Sequence, residues 1–223
     1  MSKKDIIIAI DGPSGVGKST VSKKVAERLG LIYIDTGAMY RSVALSLKNS
    51  SVSPSDLVNV ESHLLSLTIE FKRNNHANLV FLNGLDVSTE IRTKEISELS
   101  SKVSSIASVR EYARRLQQEM GESGGVVMEG RDIGTVIFPD AEVKIFLTAS
   151  NEVRAKRRLG DYKDGNATLD EVMKELSERD KRDEDRELAP LRKAKDAIEI
   201  DTGDMTIEEV VEKIIEIADN IRN

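Results

Sequence analysis

The sequence contains no cysteine. Disulfide scaffolds, thiolate zinc sites and cysteine nucleophiles are therefore excluded. Histidine is nearly as scarce: His63 and His76 are the only two. Both stand among residues of loop-like or helix-surface character, where a solvated imidazole is the plain reading. Long hydrophobic runs are missing too. Stretches such as Ile6–Ile10 and Ile145–Leu147 are strand-sized, against the roughly 20 residues that a membrane-spanning helix needs. The first residues, Met1 to Asp5, carry charge, but Asp11, Gly12 and Pro13 interrupt any signal-peptide core. A surplus of positive charge is also absent. The net charge is −6, which argues against a general nucleic-acid or membrane-surface binder. A protein of the reducing cytoplasm is expected.

What remains is a chain of 223 residues with 39 % hydrophobic composition, enough to bury the core of one domain with subdomains, or of two small domains at most. Short apolar runs alternate with helix-period segments, the pattern of a parallel sheet covered by helices. The runs predict strands at Ile6–Ile10, Leu31–Ile34, Val126–Glu129, Val143–Leu147 and Ala197–Ile200. Lys18–Leu29 reads as a helix closed by Gly30. Thr168 with Glu171, and Thr206 with Glu209, read as capping boxes opening two late helices. Ser53 followed by Pro54 reads as an N-cap and first helical position. One stretch breaks the alternation: Leu67–Lys72, Leu79–Leu82 and the turn residues Asn83 and Gly84 predict small antiparallel strands. These are expected to form an insert over about 63–100. The polar run 160–166, between two charged helices, reads as a mobile lid.

Residues 12–19, GPSGVGKS, match G-x-x-x-x-G-K-[ST] between an apolar strand and a helical pattern. Glycines let the backbone curl so that successive N–H groups point at phosphate oxygens, and the new helix adds its positive end. Lys18 is placed to bridge the donor's terminal phosphates and the Ser19 hydroxyl to bind Mg²⁺ directly. The loop alone does not name the reaction. No Asn-Lys-x-Asp and no Asp-x-x-Gly motif occurs, which argues against a GTPase. Ser123-Gly124-Gly125 lacks the flanking residues of a transporter-ATPase signature and reads as a turn.

Arginine is concentrated at Arg41, Arg110, Arg131, Arg154, Arg157, Arg158, Arg179, Arg182 and Arg186. An enzyme joining two phosphate-bearing molecules must cancel their repulsion, and guanidinium groups do so with bidentate hydrogen bonds. Arg154, Arg157 and Arg158, at i, i+3 and i+4, could equally form one solvated helix face. Arg131 and Asp132 follow a strand at the edge where open α/β sheets bind ligands; a loop ion pair is the plain alternative. Glu129, ending that strand, could orient waters around Mg²⁺.

Three further runs carry a specific resemblance: DTGAMYR at 35–41, EGRDIGTVIFPDA at 129–141, and ERDKRDEDR at 178–186 followed by APL at 189–191. With the loop at 12–19, in this order and spacing over essentially the whole chain, they resemble the bacterial-type cytidylate kinases, a family of P-loop nucleoside monophosphate kinases. The antiparallel insert also resembles that family's extension of its acceptor-binding region. The family transfers phosphate from ATP to CMP and dCMP with Mg²⁺, and its members are usually cytoplasmic monomers. The resemblance implies a P-loop α/β fold with a five-stranded parallel sheet, a small antiparallel β insert and a lid. It implies a core of about 1–35, 105–150 and 190–223, an acceptor region of about 36–104 and a lid of about 151–189.

It also implies roles. Gly12, Pro13, Ser14, Gly15, Val16, Gly17, Lys18, Ser19 and Thr20 would bind ATP, with Arg154, Arg157 and Arg158 closing over it. Thr36, Tyr40, Arg41, Arg131 and Arg186 would hold the acceptor phosphate. Arg179 and Asp183 would contact its ribose, and Ser101, Arg110 and Asp132 would read cytosine. Lys18, Arg131, Arg157 and Arg186 would serve the chemical step. Thr36 stands where some members have Ser, and the hydroxyl is kept. Two rivals stand beside this reading: a P-loop kinase for UMP, AMP or a small metabolite alcohol, and a non-catalytic nucleotide-binding switch.

Overall fold

A computed structural model describes residues 6–73, 78–160 and 167–222. Residues 74–77, His76 among them, and residues 161–166 of the expected lid lie outside them. The chain divides into two units, one of residues 1–33 with 121–223 and one of residues 34–120.

The first unit is built on β1 (Ile7–Asp11), β2 (Ile32–Asp35), β6 (Val126–Gly130), β7 (Val143–Thr148) and β8 (Ile198–Asp201), in the order β2-β6-β1-β7-β8. β1 pairs in parallel with β6 and β7, and β7 with β8. The boundary between the units falls inside β2, after Tyr33. The predicted strands match these within a residue or two: β1, β6 and β7 are buried, mainly apolar runs, while the edge strands β2 and β8 are partly exposed. Ile8, Ile10, Val127, Ile145, Leu147 and Ile200 form one core with Val21 and Val25 of α1 (Lys18–Leu29) and Val210, Val211 and Ile214 of α8 (Ile207–Arg222). Each such fully buried aliphatic side chain contributes about 1.5–3 kcal/mol.

The helix signals act as the sequence indicates. Gly30 adopts φ 68° and closes α1. Thr168 opens α7 (Leu169–Asp185) with a reciprocal capping box to Glu171, and Thr206 and Glu209 repeat it at the head of α8. Between β7 and α7 lies α6 (Asn151–Leu159), and its Ala155 packs on Val172 and Leu176 of α7.

The second unit holds α2 (Thr36–Asn49), α3 (Leu57–Leu64), a sheet of β3 (Ile69–Arg73), β4 (Asn78–Leu82) and β5 (Leu85–Asp86), then α4 (Lys94–Val103) and α5 (Ala107–Gly121), whose last residue lies in the first unit. β3–β4 and β4–β5 are antiparallel, as the insert predicts. Asn83 at φ 48° and Gly84 at φ 81° give the two positive angles that a tight hairpin turn requires.

Two local expectations are corrected. α3 begins after Asp56, whose side chain accepts from Asn59 N, and not at Ser53. Ser53 and Pro54 instead form a turn, closed by Asp56 N donating to Ser53 O at 3.0 Å. His63 is not a plainly solvated side chain: it is half-buried and shares a 2.7 Å hydrogen bond with Ser46 Oγ.

Candidate active site

The loop after β1 owes its shape to two glycines. Gly12 sits at φ 150°, and a Cβ there would lie 2.3 Å from Leu147 O, so only glycine lets the loop leave the sheet. Gly17, at φ 98°, is the N-cap of α1 and brings no side-chain hydrogen bond to the helix end. The helix head therefore keeps its inward N–H groups for an anion. Lys18 is buried, and its Nζ donates to Gly12 O at 2.8 Å and Pro13 O at 2.7 Å. Burial, reinforced by the charge of Arg131 and opposed by Glu129 and Asp11, lowers its pKa to about 7. Ser19 is exposed at the mouth of the loop.

At the end of β6 the site gathers a second cationic set. Arg131 Nε donates to Asp183 Oδ2 of α7 at 2.9 Å. Arg186 places one guanidinium nitrogen 3.8 Å from Asp183 and the other 3.8 Å from Asp132, while its Nε donates to Ala189 O at 2.6 Å. Burial works against ionisation of Asp183, but Arg131, Arg179 and Arg186 outweigh it and hold its pKa below the ordinary value. Three of the predicted residues, Arg131, Arg179 and Arg186, thus meet around the carboxylate of a fourth, Asp183, and Asp132 joins them through Arg186. Glu129 is buried nearby and accepts from the Tyr33 hydroxyl.

Two arginines of α6 are not on a solvated face. Arg154 is buried; it donates to Ser14 O at 3.0 Å, to Ala149 O at 3.2 Å and to Asp180. Arg157 donates to Thr202 Oγ1 at 2.9 Å and Thr202 O at 2.6 Å, with Val16 O at 3.5 Å. Arg158 is half-buried beside it in sequence.

In the second unit Asp35 caps α2 through Ala38 N and pairs with Arg41 at 2.8 Å. Thr36 is buried one residue on. The Arg110 guanidinium lies 5.9 Å from the Tyr40 ring centroid and donates to Ser104 O at 3.3 Å. Ser104 Oγ in turn donates to Ser101 O at 2.9 Å. The Ser101 hydroxyl is itself buried with no hydrogen-bond partner among the described residues, an arrangement suited to an incoming polar ligand.

Four residues of this region escaped sequence reasoning: Asp11, Tyr33, Asp180 and Thr202. Asp11 accepts from Ile133 N at 2.9 Å and Gly134 N at 2.8 Å, tying the start of the phosphate loop to the turn after Asp132. Burial raises its pKa to about 6 against the pull of those two N–H groups. A carboxylate ending an apolar strand was the available signal for Asp11. The i, i+3 spacing to Asp183 was the signal for Asp180.

A phosphate loop with a buried lysine, a second cationic cluster at the same edge of a parallel sheet and helices on its flanks define a P-loop phosphotransferase. The fold is shared with the shikimate kinase of Bacteroides thetaiotaomicron, at TM-score 0.51 and 16 % identity over 96 % of this chain and 98 % of that one. Residues 8–220 match the sequence profile of the cytidylate kinases. The cytidylate kinase of Geobacter sp. (strain M21) is 50 % identical over 209 residues, 93 % of this chain and 90 % of the relative. A bifunctional pantoate ligase/cytidylate kinase of Prochlorococcus marinus is 47 % identical over 95 % of this chain, which spans 42 % of that longer protein. The chain belongs to the cytidylate kinase family.

Proposed function

We infer that the chain transfers the γ-phosphoryl group of ATP to CMP or dCMP, giving ADP and CDP or dCDP. The observation that carries this reading is the pairing of the Lys18 loop with a separate arginine cluster around Asp183, in a chain half identical to a cytidylate kinase. One anion-binding set suits the donor and the other suits a phosphate-bearing acceptor. An alcohol acceptor would leave the second set without a purpose.

On the donor side, residues Gly12 to Thr20 wrap the ATP phosphates with backbone N–H groups. Lys18 exchanges the carbonyls of Gly12 and Pro13 for phosphate oxygens. Arg157 and Arg158 serve the donor from α6, and Arg154 serves it by holding the loop. Among the described residues no group of three or more His, Asp or Glu is placed to hold a metal. The exposed Ser19 hydroxyl and the Glu129 carboxylate are hard oxygen donors, which fit Mg²⁺ bound mainly by substrate phosphates and waters. The Ser19 hydroxyl would hold it directly and Glu129 through a water, and the ion would neutralise charge on the β- and γ-phosphates.

On the acceptor side, Arg131 and Arg186 hold the CMP phosphate and Arg179 and Asp183 meet the ribose. Thr36, Tyr40 and Arg41 are assigned to the phosphate and Ser101 and Arg110 to cytosine, with Asp132 accepting from its exocyclic amine. The acceptor phosphate is largely a dianion at neutral pH, so its oxygen attacks without a general base. Catalysis is positioning and charge stabilisation. Phosphorus NMR of a mixture of enzyme, Mg²⁺, ATP and CMP tests this: resonances of CDP and ADP must grow together, and ADP with inorganic phosphate alone would contradict it.

A further inference from the structure

Asp180 has no place in the chemistry above, yet it is buried in the first unit. One carboxylate oxygen accepts from Ser14 N at 3.1 Å and the other pairs with Arg154. Arg154 itself donates to Ser14 O at 3.0 Å. The two side chains therefore take both backbone groups of a single residue of the phosphate loop. The loop is pressed against them as well. A Cβ on Gly15 would lie 3.3 Å from Arg154 Cβ and 3.7 Å from Leu176 Cδ1 of α7.

The same helix carries the acceptor-side residues. Asp180 follows Arg179 directly and precedes Asp183 by three positions, one helical turn on the same face. Asp183 accepts from Arg131 at 2.9 Å. An unbroken path thus runs from the Ser14 backbone through Asp180, along one turn of α7, to Asp183 and Arg131. Every link in it is a hydrogen bond, an ion pair or a helical turn.

We propose that Asp180 and Arg154 are positioning residues that clamp the donor loop to the acceptor helix, so that seating ATP sets the arginines that receive CMP. A buried ion pair is a poor stabiliser but a good registering device, because breaking one partner leaves a charge without compensation. Coupling of this kind is reciprocal: ATP raises CMP affinity by the factor by which CMP raises ATP affinity. The proposal rests on the reading of Arg131, Arg179 and Asp183 as acceptor-side residues.

The test is the calorimetric Kd for CMP with and without a saturating non-hydrolysable ATP analogue and Mg²⁺. The full chain is compared as wild type, as Asp180→Asn and as the double variant Arg154→Met/Asp180→Leu, which removes the pair without stranding a charge. Wild type is expected to bind CMP about tenfold more tightly in the presence of the analogue. The double variant should bind CMP alone within about threefold of wild type but show almost no effect of the analogue, a loss that a purely structural role would not produce. Asp180→Asn keeps an oxygen toward Ser14 and should lose part of the effect; it decides the matter if the double variant does not fold. An undiminished analogue effect in either folded variant, or none in wild type, overturns the proposal. Asp183→Ala separates the two levels: unchanged CMP binding there overturns the acceptor reading itself. Weakened CMP binding there with intact coupling in the Asp180 variants overturns the clamp alone.

Discussion

Lys18 is turned back onto Gly12, its Nζ donating to the carbonyl oxygen six residues earlier at 2.8 Å. The loop thereby holds its own ammonium group in place before any phosphate arrives. That arrangement carries a stability cost, because burial disfavours the charged form of the lysine. Lys18→Met should abolish turnover, with a loss of at least about 10²–10³-fold. It should leave the melting temperature unchanged or raised. A variant with near wild-type turnover would remove Lys18 from the chemistry.

The lowered pKa of Lys18, to about 7, has a consequence for binding. At pH 8 the free protein holds this amine largely neutral, while bound phosphates favour the charged form. Binding of the Mg²⁺ complex of an ATP analogue should take up roughly one proton at pH 8 and far less at pH 6. Calorimetry in buffers of different ionisation enthalpy measures the uptake, and Lys18→Met should abolish it.

Burial shifts Asp11 in the opposite direction, and a second pH dependence follows. Its folded pKa, about 6, lies above the ordinary 3.8. Between those values the folded state binds more protons than the unfolded one, so the contribution of Asp11 to stability falls as pH rises through the window. The expected loss is about 2 kcal/mol between pH 4 and pH 7. The stability difference between wild type and Asp11→Asn, from urea unfolding, should therefore shift in favour of the variant as pH rises. A difference independent of pH would refute this.

The arginines around Asp183 should separate acceptor from donor. Arg131→Met or Arg186→Met is expected to lower kcat/KM for CMP by about 10²–10³-fold, while the Kd of the ATP analogue stays within about threefold. An equal loss of ATP affinity would assign these side chains to the donor.

The proposed base reader is Arg110, buried beside Tyr40 with Ser101 linked to it through Ser104. On the proposed reading its guanidinium would donate to the N3 and O2 acceptors of cytosine, whereas uracil presents a donor at N3. Arg110→Met should narrow the CMP to UMP preference, which in wild type is expected to be about 10²–10³-fold. Equal loss of both activities would contradict this role.

The fold was legible because its signals are local. The apolar runs of β1, β6, β7 and β8, the glycines of the phosphate loop, the Asn83-Gly84 turn and the Thr–Glu capping boxes each act over a few residues. The helix start at Asp56 was missed because Ser53-Pro54 offered an equally good local signal and closed a turn instead. The two-residue strand β5 leaves no period to detect. Within the site, Lys18, Arg131 and Arg186 belong to recognisable runs. Asp180 acts on a residue 166 positions away and Asp11 on backbone 122 positions away. Tyr33 and Thr202 likewise meet partners brought near by the sheet, and no local pattern records such a pairing. Arg154 was visible as part of a basic helix face, but its burial against Ser14 follows from the packing of α6 on the loop.

The central claim, that this chain phosphorylates a cytidine monophosphate, is tested most directly by ADP release from MgATP across a panel of acceptors. CMP, dCMP, UMP, AMP and a small alcohol such as shikimate are compared at equal concentration. The account predicts rapid, acceptor-dependent ADP release with CMP and dCMP, at least about 10²-fold slower release with UMP, and none above background with shikimate. Release as fast with AMP or shikimate as with CMP, or release that needs no acceptor, would contradict it.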